Sequence, residues 1–270
     1  MPAGPREDTV SDIRLHLFQT GSLVCRRQDI FLNEGMGEPF EIPVPWYLIT
    51  HPSGHVVIDG GFPAICATDA EGHWGPAAEV FVPRVRPGED CAAQMRAAGF
   101  DPADVRTILL SHLHLDHTGA IGAFPNARHV VQREALAYAL APDWFCAGAF
   151  VRADFDRPGL DWLLLDEAWG DFFDLYGDGA ITCIRSPGHT VGHQSFLVRT
   201  ARGATLLAVD AADTMDHWHD RALPGAVTSV TEAVRSVAKL RAVAERAQAR
   251  IVPGHDPALW PTLDQAPAFY

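Results

Sequence analysis

The chain has 270 residues, 47% of them hydrophobic and 20% charged, which suits one large domain or two small ones with a substantial buried core. Its formal net charge of −13 argues against a nucleic-acid backbone or an anionic membrane surface as partner. The cysteines (Cys25, Cys66, Cys91, Cys146 and Cys183) are odd in number and include no CxxC pair, so they read as reduced thiols of a cytoplasmic protein rather than a disulfide framework.

Taken in chain order, residues 1–12 read as a disordered start with no apolar signal-peptide core, and 13–270 as a single domain. Residues 13–18 alternate apolar and polar, as a half-buried strand does. Residues 45–50 and 55–59 flank the turn signal Pro52-Ser53-Gly54 and read as a hairpin ending in Asp59-Gly60-Gly61. Residues 62–90 read as a long irregular loop. Its Trp74 and Phe81 are candidate substrate contacts, or pins that hold the loop to the body. A helix is expected over 89–98 and a buried strand over 105–111. Another strand follows at 128–132, then a helix at 133–140. The aromatics of 141–175 suggest a helical insertion or a pocket wall. Strands are expected at 181–185, 194–199, 204–209 and 250–252. A long helix over 228–246 has apolar spacing at Val230, Val234, Val237 and Leu240. Helices packed outside β-sheets in one domain are the simplest account.

The chemistry lies in Ser111-His112-Leu113-His114-Leu115-Asp116-His117, directly after a buried strand. At a strand end, residues i and i+2 point the same way, so His112 and His114 can reach one metal together. A turn after Leu115 would aim Asp116 and His117 at a second. Imidazole with carboxylate suits zinc, iron, cobalt or manganese. The His-Glu-x-x-His pattern of other metalloenzymes is absent from this segment.

His112-x-His114-x-Asp116-His117 resembles the signature of the metallo-β-lactamase superfamily, and further candidates follow in that family's order. His189 stands in Pro187-Gly188-His189-Thr190. Asp210 ends the apolar run 206–209, His255 stands in Pro253-Gly254-His255-Asp256, and Asp59 fits an early structural aspartate. The resemblance implies a four-layer αββα sandwich of the α/β class with its site at one edge of the sheets. It implies one metal held by His112, His114 and His189, and another held by Asp116, His117 and His255. Asp210 and a hydroxide would bridge them, and Asp116 would also shuttle a proton to the leaving group. Zinc is the first choice of metal.

Within the superfamily, the segment 188–195 resembles N-acyl homoserine lactone lactonases. So do Pro43-x-Pro45-Trp46-x-Leu48, Gly122-Ala123-Phe124 and Val130-Val131-Gln132-Arg133. The implied activity is opening of a signal lactone, that is, quorum quenching. One position departs: those lactonases carry a substrate-binding tyrosine three residues after the bridging aspartate, where this chain has Asp213. His217, Trp218 or His219 could supply the missing donor, although His217 and His219 also read as a solvated pair. His193 reads as structural rather than as a ligand.

Other outcomes stay open. A different lactone or ester is one. A glyoxalase II-like thioesterase is another, although the stretch after His255 has no Lys or Arg for an anionic thiol carrier. A β-lactamase, a nuclease and an inactive binding protein fit less well, the last because all seven candidate ligands are present. A small-molecule lactone or ester is the expected partner, and a homodimer the expected assembly.

Overall fold

Strand alternation decides how this chain layers. The computed structural model describes residues 12–270; the disordered start expected for residues 1–12 falls, up to residue 11, outside them. The first strand, β1 (Arg14–Arg26), pairs antiparallel with β2 (Pro39–Thr50), which turns back into β3 (His55–Ile58). The expected hairpin therefore forms, with Tyr47 opposite Ile58. From β3 the sheet continues in parallel through β5 (Val105–Leu109), β6 (Arg128–Gln132) and β7 (Trp162–Leu165). With β4 (Val82–Arg84) on its far edge it has seven strands, in the order β4-β1-β2-β3-β5-β6-β7. A second sheet of five strands runs β12-β11-β10-β9-β8. Its members are β8 (Phe172–Asp174), β9 (Ile181–Arg185), β10 (Gln194–Thr200), β11 (Gly203–Val209) and β12 (Arg250–Pro253).

Successive side chains of a strand face opposite ways, so each sheet feeds two cores. Leu15, Leu17, Tyr47 and Ile49 face the second sheet and meet Phe196, Val198 and Leu207 there. Their neighbours Trp46 and Leu48 face outward. They pack under two helices, at Cys91 and Met95 on one and Ala135 and Ala139 on the other. On the far side, Leu197, Leu206 and Ala208 pack under Val237, Leu240 and Ala244 of the long helix. The result is the helix–sheet–sheet–helix layering that the sequence suggested. Burying both faces of β2 explains its nearly unbroken apolar run.

In chain order the helices are α1 (Arg27–Ile30), α2 (Cys66–Trp74), α3 (Ala77–Val80), α4 (Cys91–Ala97), α5 (Arg133–Leu140), α6 (Arg152–Phe155), α7 (Met215–Trp218) and α8 (Val230–Ala247). Ser229 caps α8 by accepting a hydrogen bond from the Glu232 amide at 3.3 Å. Its buried stripe passes through Ala233, Val237, Leu240 and Ala244, which leaves Val234 exposed, contrary to the expected apolar spacing.

Two further expectations change. Residues 62–90 are not one irregular loop: they form α2, α3 and β4, and β4 pairs with β1 at Ser22–Val24. That pairing partner lies some sixty residues away in sequence, roughly, which a local reading cannot see. Residues 141–175 contribute α6 and two edge strands, β7 and β8, one for each sheet, rather than a helical insertion. Trp144 and Phe145 in this stretch stay exposed.

Candidate metal centre

Five segments that leave strands at the same end of the two sheets supply the site. Asp59 follows β3, the histidine segment follows β5, His189 follows β9, Asp210 follows β11 and His255 follows β12. Each of these strands delivers a polar group just where the buried apolar run stops.

Asp59 organises the first half. It is buried and held at φ +62°, an uncommon conformation for a residue other than glycine. One carboxylate oxygen accepts the Ser111 backbone N–H at 2.7 Å. The other accepts the Ser111 hydroxyl at 2.8 Å and faces His117 Nδ1 at 2.9 Å. An Nδ1–H donated to Asp59 leaves His117 Nε2 with its lone pair free for the centre. Ser111 Oγ also meets His112 Nδ1 at 2.9 Å. On the other side, His255 Nδ1 donates to the Pro43 carbonyl at 2.8 Å, so its Nε2 turns inward by the same logic.

Asp210 is the centre of the arrangement. Its Oδ2 lies 3.2 Å from His189 Nε2, 3.4 Å from His117 Nε2 and 3.8 Å from His112 Nε2. Its Oδ1 lies 3.2 Å from His255 Nε2. Asp116 closes the ring, with Oδ1 3.6 Å from His117 Nε2 and Oδ2 3.7 Å from His255 Nε2. His114 Nδ1 and His189 Nε2 stand 2.9 Å apart. Within a 4.8 Å limit, His112, His114 and His189 form one group of donor atoms and Asp116, His117 and His255 another, while Asp210 joins His112 and His117 in a third. The structure thus brings together all seven residues that the sequence nominated as ligands.

The donor set fits divalent cations. His112 Nε2, His117 Nε2 and Asp210 Oδ1 are buried and have no hydrogen-bond partner among the described residues, an arrangement that is costly unless something else satisfies them. Burial, with neighbouring His117 and His114, holds the pKa of His112 well below the usual imidazole range; burial, with His189, does the same for His114. Both shifts favour the neutral imidazole that a cation requires. Burial opposes a charge on His117 as well, but Asp210, Asp116 and Asp59 outweigh it and raise its pKa. His255 rises to about 9, burial being overcome by Asp210.

The centre opens into a cavity whose apolar walls include Leu23, Ile30, Ile42, Phe81 and Leu115. Phe81 and Asp213 of the expected substrate contacts line it. Trp74 and His217 do not. Trp74 is buried against Phe62, ring centroids 5.6 Å apart, and pins α2 to the body. His217 is buried rather than solvated: it stacks on Phe31 and meets Thr214 Oγ1 at 2.9 Å and the Ile30 carbonyl at 3.2 Å. Trp218 is buried in the core under α8 and His219 is exposed, so neither replaces the absent tyrosine from within the cavity. His193 is buried behind His112, its Nδ1 near Ser186 Oγ at 2.9 Å, with burial lowering its pKa to about 3. Sequence reasoning missed the walls given by β1, α1 and β2. Phe81 was nominated from its loop, and Leu115, set between two candidate ligands, carried a local signal.

The chain matches the metallo-beta-lactamase superfamily over residues 40–255. It is 54% identical over 262 residues to the N-acyl homoserine lactonase AttM of Azorhizobium caulinodans, covering 97% of this chain and all of the relative. An N-acyl homoserine lactonase of a Bacillus species is 30% identical over 223 residues, covering 82% of this chain and 84% of that one. Among solved structures, an N-acyl homoserine lactone hydrolase with N-hexanoyl-L-homoserine bound at its catalytic metal centre superimposes with a TM-score of 0.85 at 23% identity, over 97% of this chain and all of that one. AidC, a dizinc quorum-quenching lactonase, gives a TM-score of 0.67 at 16% identity, over 98% of this chain and 96% of that one.

Proposed function

Since this chain belongs to the metallo-beta-lactamase superfamily, we propose that it is a metal-dependent hydrolase that opens the ring of N-acyl homoserine lactones. The observation that carries the reading is the convergence of six His and Asp donors around a seventh, Asp210, beside an apolar cavity. His112, His114 and His189 would hold one cation, and Asp116, His117 and His255 a second, with Asp210 between them. Zinc is the first choice, and iron, cobalt and manganese suit the same donors. Two divalent cations supply a water acidified towards neutral pH and a Lewis acid for the ester carbonyl.

The chain's own groups do the rest. The apolar walls take the acyl chain and exclude water from the ester. Water adds its oxygen to the lactone carbonyl carbon, the ring C–O bond breaks, and the ring oxygen needs a proton. Asp116 faces the cavity beside the centre and is the group that carries it. The product is an acyclic hydroxy acid. The free cysteines support a reducing, cytoplasmic setting. No helix among the described residues is long and apolar enough to cross a membrane. A homodimer is the proposed assembly, with exposed Trp144 and Phe145 available for burial in it.

The test is proton release during hydrolysis of a short- and a long-chain acyl homoserine lactone by metal-loaded protein, beside His114→Ala. Turnover by the wild type and its loss in the variant support the reading. Cleavage of simple esters with both lactones untouched would overturn the substrate assignment and leave the hydrolase.

A further inference from the structure

Three segments far apart in sequence form part of the cavity wall, and one buried carboxylate ties them together. Asp154, on α6, is only 7% exposed and is not one of the seven candidate ligands. One of its oxygens accepts the Thr118 hydroxyl at 2.7 Å, and the other accepts His73 Nε2–H, also at 2.7 Å. Thr118 directly follows His117, so the first bond ends on the histidine segment. His73 is on α2, so the second ends on the unit that leads to Phe81. That unit is held by its own backbone: Gly75 N–H donates to the Glu71 carbonyl, Ala78 N–H to the Gly75 carbonyl and Phe81 N–H to the Ala77 carbonyl. The stretch before α6 also meets the histidine segment, where Leu115 N–H donates to the Ala149 carbonyl at 3.0 Å. Phe81, Leu115 and Ala149, one from each segment, all line the cavity. Burial raises the pKa of Asp154, and the bond from Thr118 and the neighbouring His73 oppose that rise. A buried carboxyl is costly unless its oxygens are matched, and here both are.

We propose that Asp154 is a positioning residue that clamps α2 to the histidine segment, and so sets where Phe81 stands in the cavity and which acyl-chain lengths the site prefers. The inference rests on the lactonase reading above. Asp154 does not touch the reacting atoms; it acts through the wall. Its two bonds run to two different segments, so losing the carboxyl frees α2 from the histidine segment without removing any side chain that lines the cavity. Trp74 also holds α2, but by apolar packing on Phe62, which has little direction. Two short hydrogen bonds to fixed partners set a position as well as an attraction. Loss of Trp74 therefore lowers stability while the clamp keeps α2 in its seat, and loss of Asp154 moves the seat. A long acyl chain reaches further along the wall than a short one, so it is the substrate that reads the displacement.

The test measures kcat and KM for N-butanoyl and N-decanoyl homoserine lactone on metal-loaded wild type, Asp154→Ala, Asp154→Asn, His73→Phe and Trp74→Ala. Metal content per chain is checked for each, and amide hydrogen exchange of residues 66–81 gives a readout independent of turnover. In Asp154→Ala the expected KM rises roughly tenfold for the decanoyl lactone and less than about twofold for the butanoyl one, with kcat for both within about threefold. Exchange in α2 and α3 quickens while that of β5 does not. Asparagine restores the wild-type ratio of the two KM values, because its oxygen can accept from Thr118 and its NH2 can donate to the other tautomer of His73. His73→Phe removes the α2 bond alone and shifts the ratio in the same direction, so it decides the matter if Asp154→Ala fails to fold. A wild-type ratio in both His73→Phe and any folded Asp154→Ala overturns the proposal. So does an equal shift in Trp74→Ala, which would show that any loosening of α2 has this effect. If the wild type opens neither lactone, the lactonase reading itself falls and takes this inference with it.

Discussion

Asp59 reaches His117 across 2.9 Å from a backbone at φ +62°, and the same carboxylate binds the Ser111 amide and hydroxyl. One buried carboxylate thus fixes both the start of the histidine segment and the ring orientation of a candidate ligand at its end. Removing the charge while keeping the shape should loosen the centre without emptying the fold. In Asp59→Asn we expect metal affinity to fall roughly 10–100-fold, as for other outer partners of ligating histidines, measured by chelator competition. Unchanged affinity would mean that His117 is oriented by something else.

Metal uptake should release protons. His117 and His255 both have raised pKa values in the cation-free chain, His255 to about 9. At pH 7 His255 holds a proton that a cation must displace, and the raised pKa of His117 acts in the same direction, so affinity rises as pH rises towards 9. The stability of the cation-free chain runs the opposite way. A raised pKa contributes stability that is fully present below the ordinary value near 6.5 and is lost as pH climbs through 9. Calorimetry of metal binding in buffers of different ionisation enthalpy counts the protons. Denaturant midpoints of the chelated protein at pH 6.5 and 9 check the second sign.

Gly188 is required by its surroundings as well as by its φ of +134°. A Cβ there would collide with the backbone nitrogen of Ala233 at the start of α8, where Ser229 N–H already binds the Gly188 carbonyl at 2.9 Å. Gly188→Ala must therefore shift the turn that presents His189. We expect a clear loss of stability together with reduced occupancy of the site formed by His112, His114 and His189, read by metal analysis of the folded fraction. Full occupancy at wild-type stability would show that the turn is slack.

Phe81 and Trp74 come from neighbouring elements and should behave differently. Trp74→Ala opens a cavity in a packed cluster and should cost about 3–5 kcal/mol of stability, seen in chemical denaturation. Its effect on KM should be small for protein that remains folded. Phe81 is only partly buried and lines the cavity. Phe81→Ala should raise KM for longer acyl chains more than for shorter ones, at a smaller cost in stability. A reversed pattern would place Trp74, not Phe81, against the substrate.

His217→Ala should resemble Trp74→Ala rather than Phe81→Ala. Its ring bridges α7 to the Ile30 carbonyl and stacks on Phe31 at 5.1 Å. Loss of these contacts should destabilise by about 1–3 kcal/mol and leave the ratio of short- to long-chain turnover unchanged. A shift in that ratio would put His217 back at the substrate.

Local chemistry along the chain determined the strands that end at the centre, because a buried apolar run followed by His or Asp is a signal contained in a few residues. The histidine segment, Asp210 and His255 were legible in that way, and so were β6, α5 and the hairpin of β2 and β3. What needed the tertiary structure was everything set by partners far off in sequence. β4 exists because β1 offers it an edge, Trp74 turns inward because Phe62 receives it, and His217 is buried because Phe31 and Ile30 cover it. The cavity wall belongs to the same class: Leu23, Ile30 and Ile42 reach the centre from separate elements, and their own neighbours in sequence say nothing of it. Ligands can be read locally because a strand end fixes their direction. A pocket cannot, because its shape is the space left where distant segments fail to touch.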